Sequence, residues 1–249
     1  MPQKRYFITG TDTEVGKTFF TCALIRALKQ QKISVFGYKP VAAGCEIIDG
    51  QWRNEDALAI IEAMSKPSQQ SQSEDLAYSY GKINPFALIE PIAPHIAASN
   101  EGKSLSVAQL TGAVDLNANQ ENVVLVEGAG GWMVPLNGSE TFADYVVAEQ
   151  LEVILVVGMK LGCINHALMT QQAIKNAGLK LVGWVANYID PKMQEQQANL
   201  ETLKQRLKCP LVAEIPFIRA DQANSAQPQE LANNTADLAA KYVRIHDLI

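Results

Sequence analysis

The chain has 249 residues, 47% of them hydrophobic and 19% charged, enough for one large α/β domain or two small ones around a sizeable core. Its formal net charge of −5 argues against a nucleic-acid binder, which needs a basic face. No apolar run is long enough to span a membrane.

The opening MPQKRYFITG is too short and polar for a signal peptide, so a cytoplasmic protein is expected. The first strand is predicted at Tyr6–Thr9. It runs into the loop of FITGTDTEVGKT at 7–18, and the apolar FFTCALIRAL follows in a helix predicted over Lys17–Gln31. Strand, glycine loop and helix together aim backbone N–H groups and a helix N-terminus at an anion. Lys17 is placed to reach the outer phosphates of a nucleoside triphosphate and Thr18 to hold Mg²⁺. The spacing departs from the usual loop: Thr11 stands where the first glycine belongs, and Gly10 comes one place early.

Further strands are predicted at Ser34–Tyr38, Val123–Glu127, Val153–Val157, Leu181–Asn187 and Leu211–Ile215. Continuous apolar runs such as VVLVEG and VILVVG suit a parallel sheet covered on both faces. Helices are predicted at Glu55–Met64, Ser106–Asn117, Phe142–Gln150, Cys163–Asn176, Pro191–Leu207 and Gln229–Tyr242. Between them, SKPSQQSQSE reads as an exposed, turn-rich stretch, and INPFALIEPIAPHIAA, with three prolines, as extended or looped. The alternation predicts a doubly wound α/β fold with a mostly parallel sheet and helices on both faces. We expect one domain over 1–249, with ligands at the carboxyl ends of the strands.

Those ends carry the candidate chemistry. Lys39 follows the second strand, held out of helical geometry by Pro40; the residue suits either a ligand crevice or a solvated surface. Glu127 ends an apolar strand before Gly128-Ala129-Gly130-Gly131, the usual second half of a phosphate-loop site, where the acid binds Mg²⁺ and the glycines allow close approach. Asp56 by itself reads as a helix-start acid favoured by the dipole. Asn187 can pair with adenine N6 and N7 or cap a turn. The four cysteines (Cys22, Cys45, Cys163, Cys209) form no CxxC pair and read as buried or free thiols in a reducing compartment. The three histidines, His95, His166 and His246, suggest no metal cluster.

Taken together, GTDTEVGKT at 10–18, GYKPVAAG at 37–44, RNEDALA at 53–59, PHIAA at 94–98, VLVEGAGGWMVPL at 124–136, TFADYV at 141–146, VILVVGMKLGCINHALMT at 153–170 and GWVAN at 183–187 resemble the dethiobiotin synthetases, in family order and over most of the chain. The unusual loop spacing is that family's own. The resemblance implies carboxylation of 7,8-diaminononanoate with CO₂ and ATP, through a carbamate and a carbamic–phosphoric anhydride, to dethiobiotin. It implies Lys39 and Lys17 as catalytic cations and Thr18, Asp56 and Glu127 as Mg²⁺ ligands. ATP is expected on Thr13, Glu14, Val15, Gly16, Lys17, Thr18, Asp56, Glu127, Gly128, Ala129, Gly130, Asn187, Tyr188, Pro216, Phe217 and Ile218. The diamine is expected on Lys39, Ala43, Gly130, Cys163 and Asn165. It further implies a homodimer, with 161–165 reaching the neighbour's substrate, and no nucleic-acid or membrane partner. Where the family often has serine, this chain has Ala43, which cannot offer a side-chain hydrogen bond. A ParA/MinD-type ATPase switch shares the loop but usually carries a second lysine where Thr11-Asp12-Thr13 stands here. A cobyrinate-type amidoligase would need a glutamine-hydrolysing domain, for which there is no room after residue 220.

Overall fold

The computed structural model describes residues 3–65, 79–218 and 235–249. Strands β1 (Lys4–Gly10), β2 (Val35–Tyr38), β7 (Val123–Glu127), β8 (Glu152–Gly158), β9 (Leu181–Asn187) and β10 (Leu211–Ile215) form a six-stranded sheet in the order β10-β9-β8-β1-β7-β2. Every neighbouring pair in it is parallel. All six are the strands expected from the apolar runs, with ends shifted by two residues at most. Two small pairs lie outside this sheet: β3 (Val41–Ala43) with β6 (Phe86–Leu88), and a hairpin of β4 (Glu46–Ile48) and β5 (Gln51–Arg53). The hairpin turns on Asp49 and Gly50, both at positive φ (51° and 74°), the backbone sense that matches strand twist.

The helices are α1 (Lys17–Gln30), α2 (Glu55–Met64), α3 (Tyr80–Ile83), α4 (Pro94–Asn100), α5 (Val107–Ala113), α6 (Phe142–Ala148), α7 (Cys163–Asn176) and α8 (Gln196–Arg206). Side-chain alternation along β8 shows how the faces are covered. Ile154 and Val156 join the main core, while Leu155 and Val157 join a second cluster with Trp184, Ala186, Leu200 and Leu203. A strand apolar on both faces is buried on both.

Several elements differ from expectation. INPFALIEPIAPHIAA contains β6 and α4, because Pro94 sits in the first turn, where its missing N–H costs nothing. Helix α5 is shorter than Ser106–Asn117: Ser106 is its cap and accepts from the Gln109 N–H. Helix α8 begins only after Glu195, at φ 54°. Residues 235–240 are helical; the rest of the expected Gln229–Tyr242 helix up to residue 234, and most of SKPSQQSQSE, lie outside the described residues.

From β1 the chain crosses to the β2 edge, returns as β7, passes β1 to β8 and runs out to β10. The strand order therefore reverses beside β1, where a doubly wound sheet opens a crevice at its carboxyl ends.

Candidate active site

Loop 10–16 wraps the start of α1. Gly16 caps the helix at φ 85°, and Glu14 sits at φ 59°; such left-handed turns face successive N–H groups inward. Only glycine fits at 16, since a Cβ there would lie 2.2 Å from Asn187 Nδ2. Asp12 braces the loop three ways. Its Oδ1 accepts from the Thr13 N–H (2.8 Å), its Oδ2 from Lys160 Nζ (3.1 Å), and its main-chain oxygen from Lys17 Nζ (3.4 Å).

Glu127, at 0% exposure, is the hub of the site. Its Oε1 accepts from Thr18 Oγ1 (2.6 Å) and Lys39 Nζ (2.7 Å). Its Oε2 lies within hydrogen-bond reach of the Thr21 hydroxyl, whose one proton the Lys17 carbonyl also competes for. Lys39 Nζ also donates to Asp56 Oδ2 (2.8 Å) and reaches the Gly128 carbonyl (3.4 Å). Lys39 is thus buried between two carboxylates that come from different elements, β7 and the first turn of α2.

The charges are tuned accordingly. Burial works against the Lys39 cation, but Glu127 and Asp56 outweigh it and hold its pKa above the usual lysine value. Burial also disfavours the Asp56 carboxylate; the Lys39 charge and hydrogen bond, aided by Thr18 and Lys17, still pull its pKa down. Lys17 goes the other way: burial, reinforced by the Lys39 charge, lowers its pKa to about 8.

Around these groups opens a cleft of about 810 Å³. Its lining combines polar groups, Thr13, Lys17, Thr18, Lys39 and Asp56, with apolar ones, Ala42, Ala43, Pro91, Ile92, Pro94 and Val134. Ala129 and Gly130 line it too. Gly128 serves a different end: a Cβ there would meet Phe7 Cζ at 2.7 Å, so its glycine answers to core packing.

The oxygen set fits a hard divalent cation. Thr18, Asp56 and Glu127 converge, and Mg²⁺ is bound by such oxygens together with phosphate. Lys39 Nζ stands between the two carboxylates, so a metal held by both requires that the ammonium move off at least one.

The expected adenine residues gather at the ends of β9 and β10, where Ile215 pairs with Asn187 and its carbonyl accepts from the Tyr188 N–H (3.0 Å). Asn187 is 4% exposed and its Nδ2 donates one N–H to the Val15 carbonyl (2.9 Å), which leaves the second N–H and Oδ1 for a base. Tyr188 and Pro216 line a separate groove of about 490 Å³ with Glu214 and Arg244. Burial, then Glu214, pushes the Tyr188 phenol up to about 12. Phe217 is half-exposed and Ile218 packs against the core.

At the start of α7 the Cys163 thiol is packed in the second core cluster, which leaves only its main chain for a ligand. Asn165 is exposed on α7, with Nδ2 3.4 Å from Met169 S, and neither residue lines the cleft. All four cysteines are free. Among the described residues, no helix is long and apolar enough to cross a membrane, and no group of three or more His, Cys, Asp or Glu is placed to hold a metal.

The AAA domain family profile matches residues 4–224. The chain is 48% identical to the ATP-dependent dethiobiotin synthetase BioD of Alteromonas mediterranea, over 86% of this chain and 92% of that protein. With BioD 1 of Escherichia coli K12 it shares 45% identity, over 90% and 95%. The chain belongs to the ATP-dependent dethiobiotin synthetase family. Among solved structures, a ParA family ATPase from Chlorobium tepidum has a TM-score of 0.57 at 14% identity, covering 99% of both chains. MinD in the MinC:MinD complex of Aquifex aeolicus reaches 0.53 at 17%, covering 95% of this chain and 92% of that one. Those two likenesses concern the phosphate-loop fold alone. For a dethiobiotin synthetase, the residues that motif reading missed are Thr21, Asp12 and Lys160. A threonine one turn after Lys17 on an otherwise apolar face was the available signal for Thr21.

Proposed function

We propose that the chain carboxylates and cyclises 7,8-diaminononanoate with CO₂ and ATP to dethiobiotin, in a homodimer. The observation that carries this reading is a single cleft lined both by phosphate-loop residues with Lys17 and Lys39 and by the apolar Ala42, Ala43, Pro91, Ile92 and Val134, which suit an alkyl diamine. In this reading the loop N–H groups and Lys17 hold the triphosphate. Lys39 leaves its two carboxylates for the carbamate formed when one substrate amine adds to CO₂ and loses its proton. A carbamate oxygen attacks the γ-phosphorus and ADP departs; the second amine then attacks the carbonyl carbon, closes the ring and expels phosphate. The chain holds the reactants in line and neutralises charge as it moves between them. Thr18, Asp56 and Glu127 would hold Mg²⁺, which when bound neutralises phosphate charge. We assign the substrate's carboxylate to the 161–165 segment of a second copy, where main-chain N–H groups at the start of α7 suit an anion.

Phosphate release from ATP, measured with and without the diamine and bicarbonate, tests this. Turnover should require both. Equal hydrolysis without the diamine, raised by DNA or lipid vesicles, would replace it with a switch ATPase.

A further inference from the structure

Lys39 and Asp56 meet at the cleft, but a second, buried path also joins them. The end of β2 is held at both main-chain groups of Lys39: its N–H donates to the Ile83 carbonyl (2.9 Å) and its carbonyl accepts from Asn84 Nδ2 (2.8 Å). Asn84 Oδ1 accepts from the Tyr80 hydroxyl (2.9 Å), which in turn accepts from the Asn54 N–H (2.7 Å). Asn54 Oδ1 then caps α2 by accepting from the Asp56 N–H (3.0 Å), while its Nδ2 donates to the carbonyl of Ala43 (3.2 Å). From the Asp56 N–H to the Lys39 carbonyl every bond of the path runs in one direction, and Asn54 Nδ2 also reaches the Gly44 carbonyl (3.5 Å). Asn54 and Asn84 are 5% and 2% exposed, and the Arg53 guanidinium covers the Tyr80 ring at 4.1 Å.

Sequence explains how so few residues achieve this. Tyr80 and Asn84 are one helical turn apart across α3, and the Asn84 N–H closes that turn on the Tyr80 carbonyl (2.8 Å). Asn54 is two residues before Asp56. A single-turn helix and a helix cap thus tie the base of the lysine to the base of the carboxylate. We propose that Tyr80, with Asn84 and Asn54, is a positioning relay that sets Lys39, Asp56 and the cleft-lining Ala43 in one frame. This rests on the reading of Lys39 and Asp56 as site residues. None of the three relay side chains needs to touch reacting atoms. A fully satisfied buried network is rigid, and outer partners that orient metal-binding carboxylates are typically worth about 10–100-fold in affinity or activity.

The decisive variant is Tyr80→Phe. It keeps the ring beneath Arg53 and removes only the hydroxyl, leaving the Asn54 N–H and Asn84 Oδ1 without their partner. We expect a folded protein with kcat down about tenfold or more, KM for ATP and diamine close to wild type, and a raised Mg²⁺ concentration for half-maximal turnover. Combined with Lys39→Met, the kcat losses should be less than additive. Calorimetry with a non-hydrolysable ATP analogue gives a readout free of the reaction: the gain in analogue affinity on adding Mg²⁺ should shrink severalfold in Tyr80→Phe. Asn84→Ser, which shortens the link to Lys39, should lose kcat in the same way, with the Mg²⁺ effect smaller than in Tyr80→Phe. The relay is overturned if folded Tyr80→Phe keeps wild-type kcat and Mg²⁺ dependence, or loses only thermal stability. If the wild-type chain makes no dethiobiotin, the functional reading falls instead, and the calorimetric arm still decides on the relay.

Discussion

Replacing Lys39 by methionine removes the one cation seated between Glu127 Oε1 at 2.7 Å and Asp56 Oδ2 at 2.8 Å. Glu127 is wholly buried, so most of the cost falls there; Asp56, with 37% of its side chain exposed, regains some water. Stripping one partner from a buried ion pair costs about 3–5 kcal/mol, and for a chain of this size that lowers Tm by roughly 6–20 °C in metal-free buffer. The same vacated carboxylates should then take Mg²⁺ more readily, and each tenfold gain in affinity returns about 1.4 kcal/mol at saturating metal. Thermal melts of wild type and Lys39→Met across a Mg²⁺ series test this directly. The variant should start lower and rise more steeply. Its kcat should fall about 10²-fold or more, while ATP binding by calorimetry is retained, because the cation acts on charge that shifts during the reaction. Lys39→Arg should also lose most of kcat, since its planar fork cannot sit where a compact ammonium sits. A Tm within 2 °C of wild type without metal, or ATP affinity lost in step with rate, refutes the reasoning.

Three other expectations follow from the site. Gly16→Ala places a methyl on a residue at φ 85° and 2.2 Å from Asn187 Nδ2, so ATP affinity should drop by at least tenfold with about 1–2 kcal/mol of strain; wild-type affinity refutes it. Lys17 titrates near 8 in the folded chain against 10.5 unfolded, so between those values the unfolded chain holds more protons and stability rises with pH. A triphosphate restores that charge, so ATP binding at pH 8.5–9.5 should take up a proton, read from calorimetry in two buffers of different ionisation enthalpy; zero uptake counts against it. Ala43→Ser adds one oxygen beside open cleft, so it should fold normally with the diamine KM unchanged or lower; collapse of activity means this side of the cleft is packed differently.

The parts of this protein legible in its sequence are those where local chemistry and global placement coincide. VVLVE and VILVV suit buried parallel strands and are found as such, and Lys17-Thr18 opens a helix after a glycine loop as the local pattern suggests. Glu127 was legible because an acid ending an apolar strand before a run of glycines is the usual partner of a phosphate loop, and the fold sets it against Thr18 and Lys39. Asp56 was not: its local reading, an acid in a first helical turn, is also true, and only the fold brings it to Lys39. The β4–β5 hairpin has a local signal in Ile47-Ile48-Asp49-Gly50-Gln51-Trp52, an Asp-Gly turn with Ile47 opposite Trp52, but strands of three residues are too short for an alternating pattern to stand out. Tyr80 and Asn84 were invisible for a different reason. A four-residue helix has no periodicity to read, and both of its polar partners, the Lys39 carbonyl and the Asn54 N–H, are main-chain atoms, which leave no trace in residue identity.

That hairpin also has a practical use. Its tip at Gly50 meets no other atom within 4 Å of where a Cβ would stand, and its paired strands separate the tip from Ala43 on one side and Asn54 on the other. Exposed turns held by their own strand pairing are the places where chains accept inserted sequence. An affinity peptide or a fluorophore-accepting cysteine spliced between Asp49 and Gly50 would therefore sit on a self-paired hairpin whose two ends lead into the cleft-lining Ala43 and Asn54, outside the hydrogen bonds of the cleft itself.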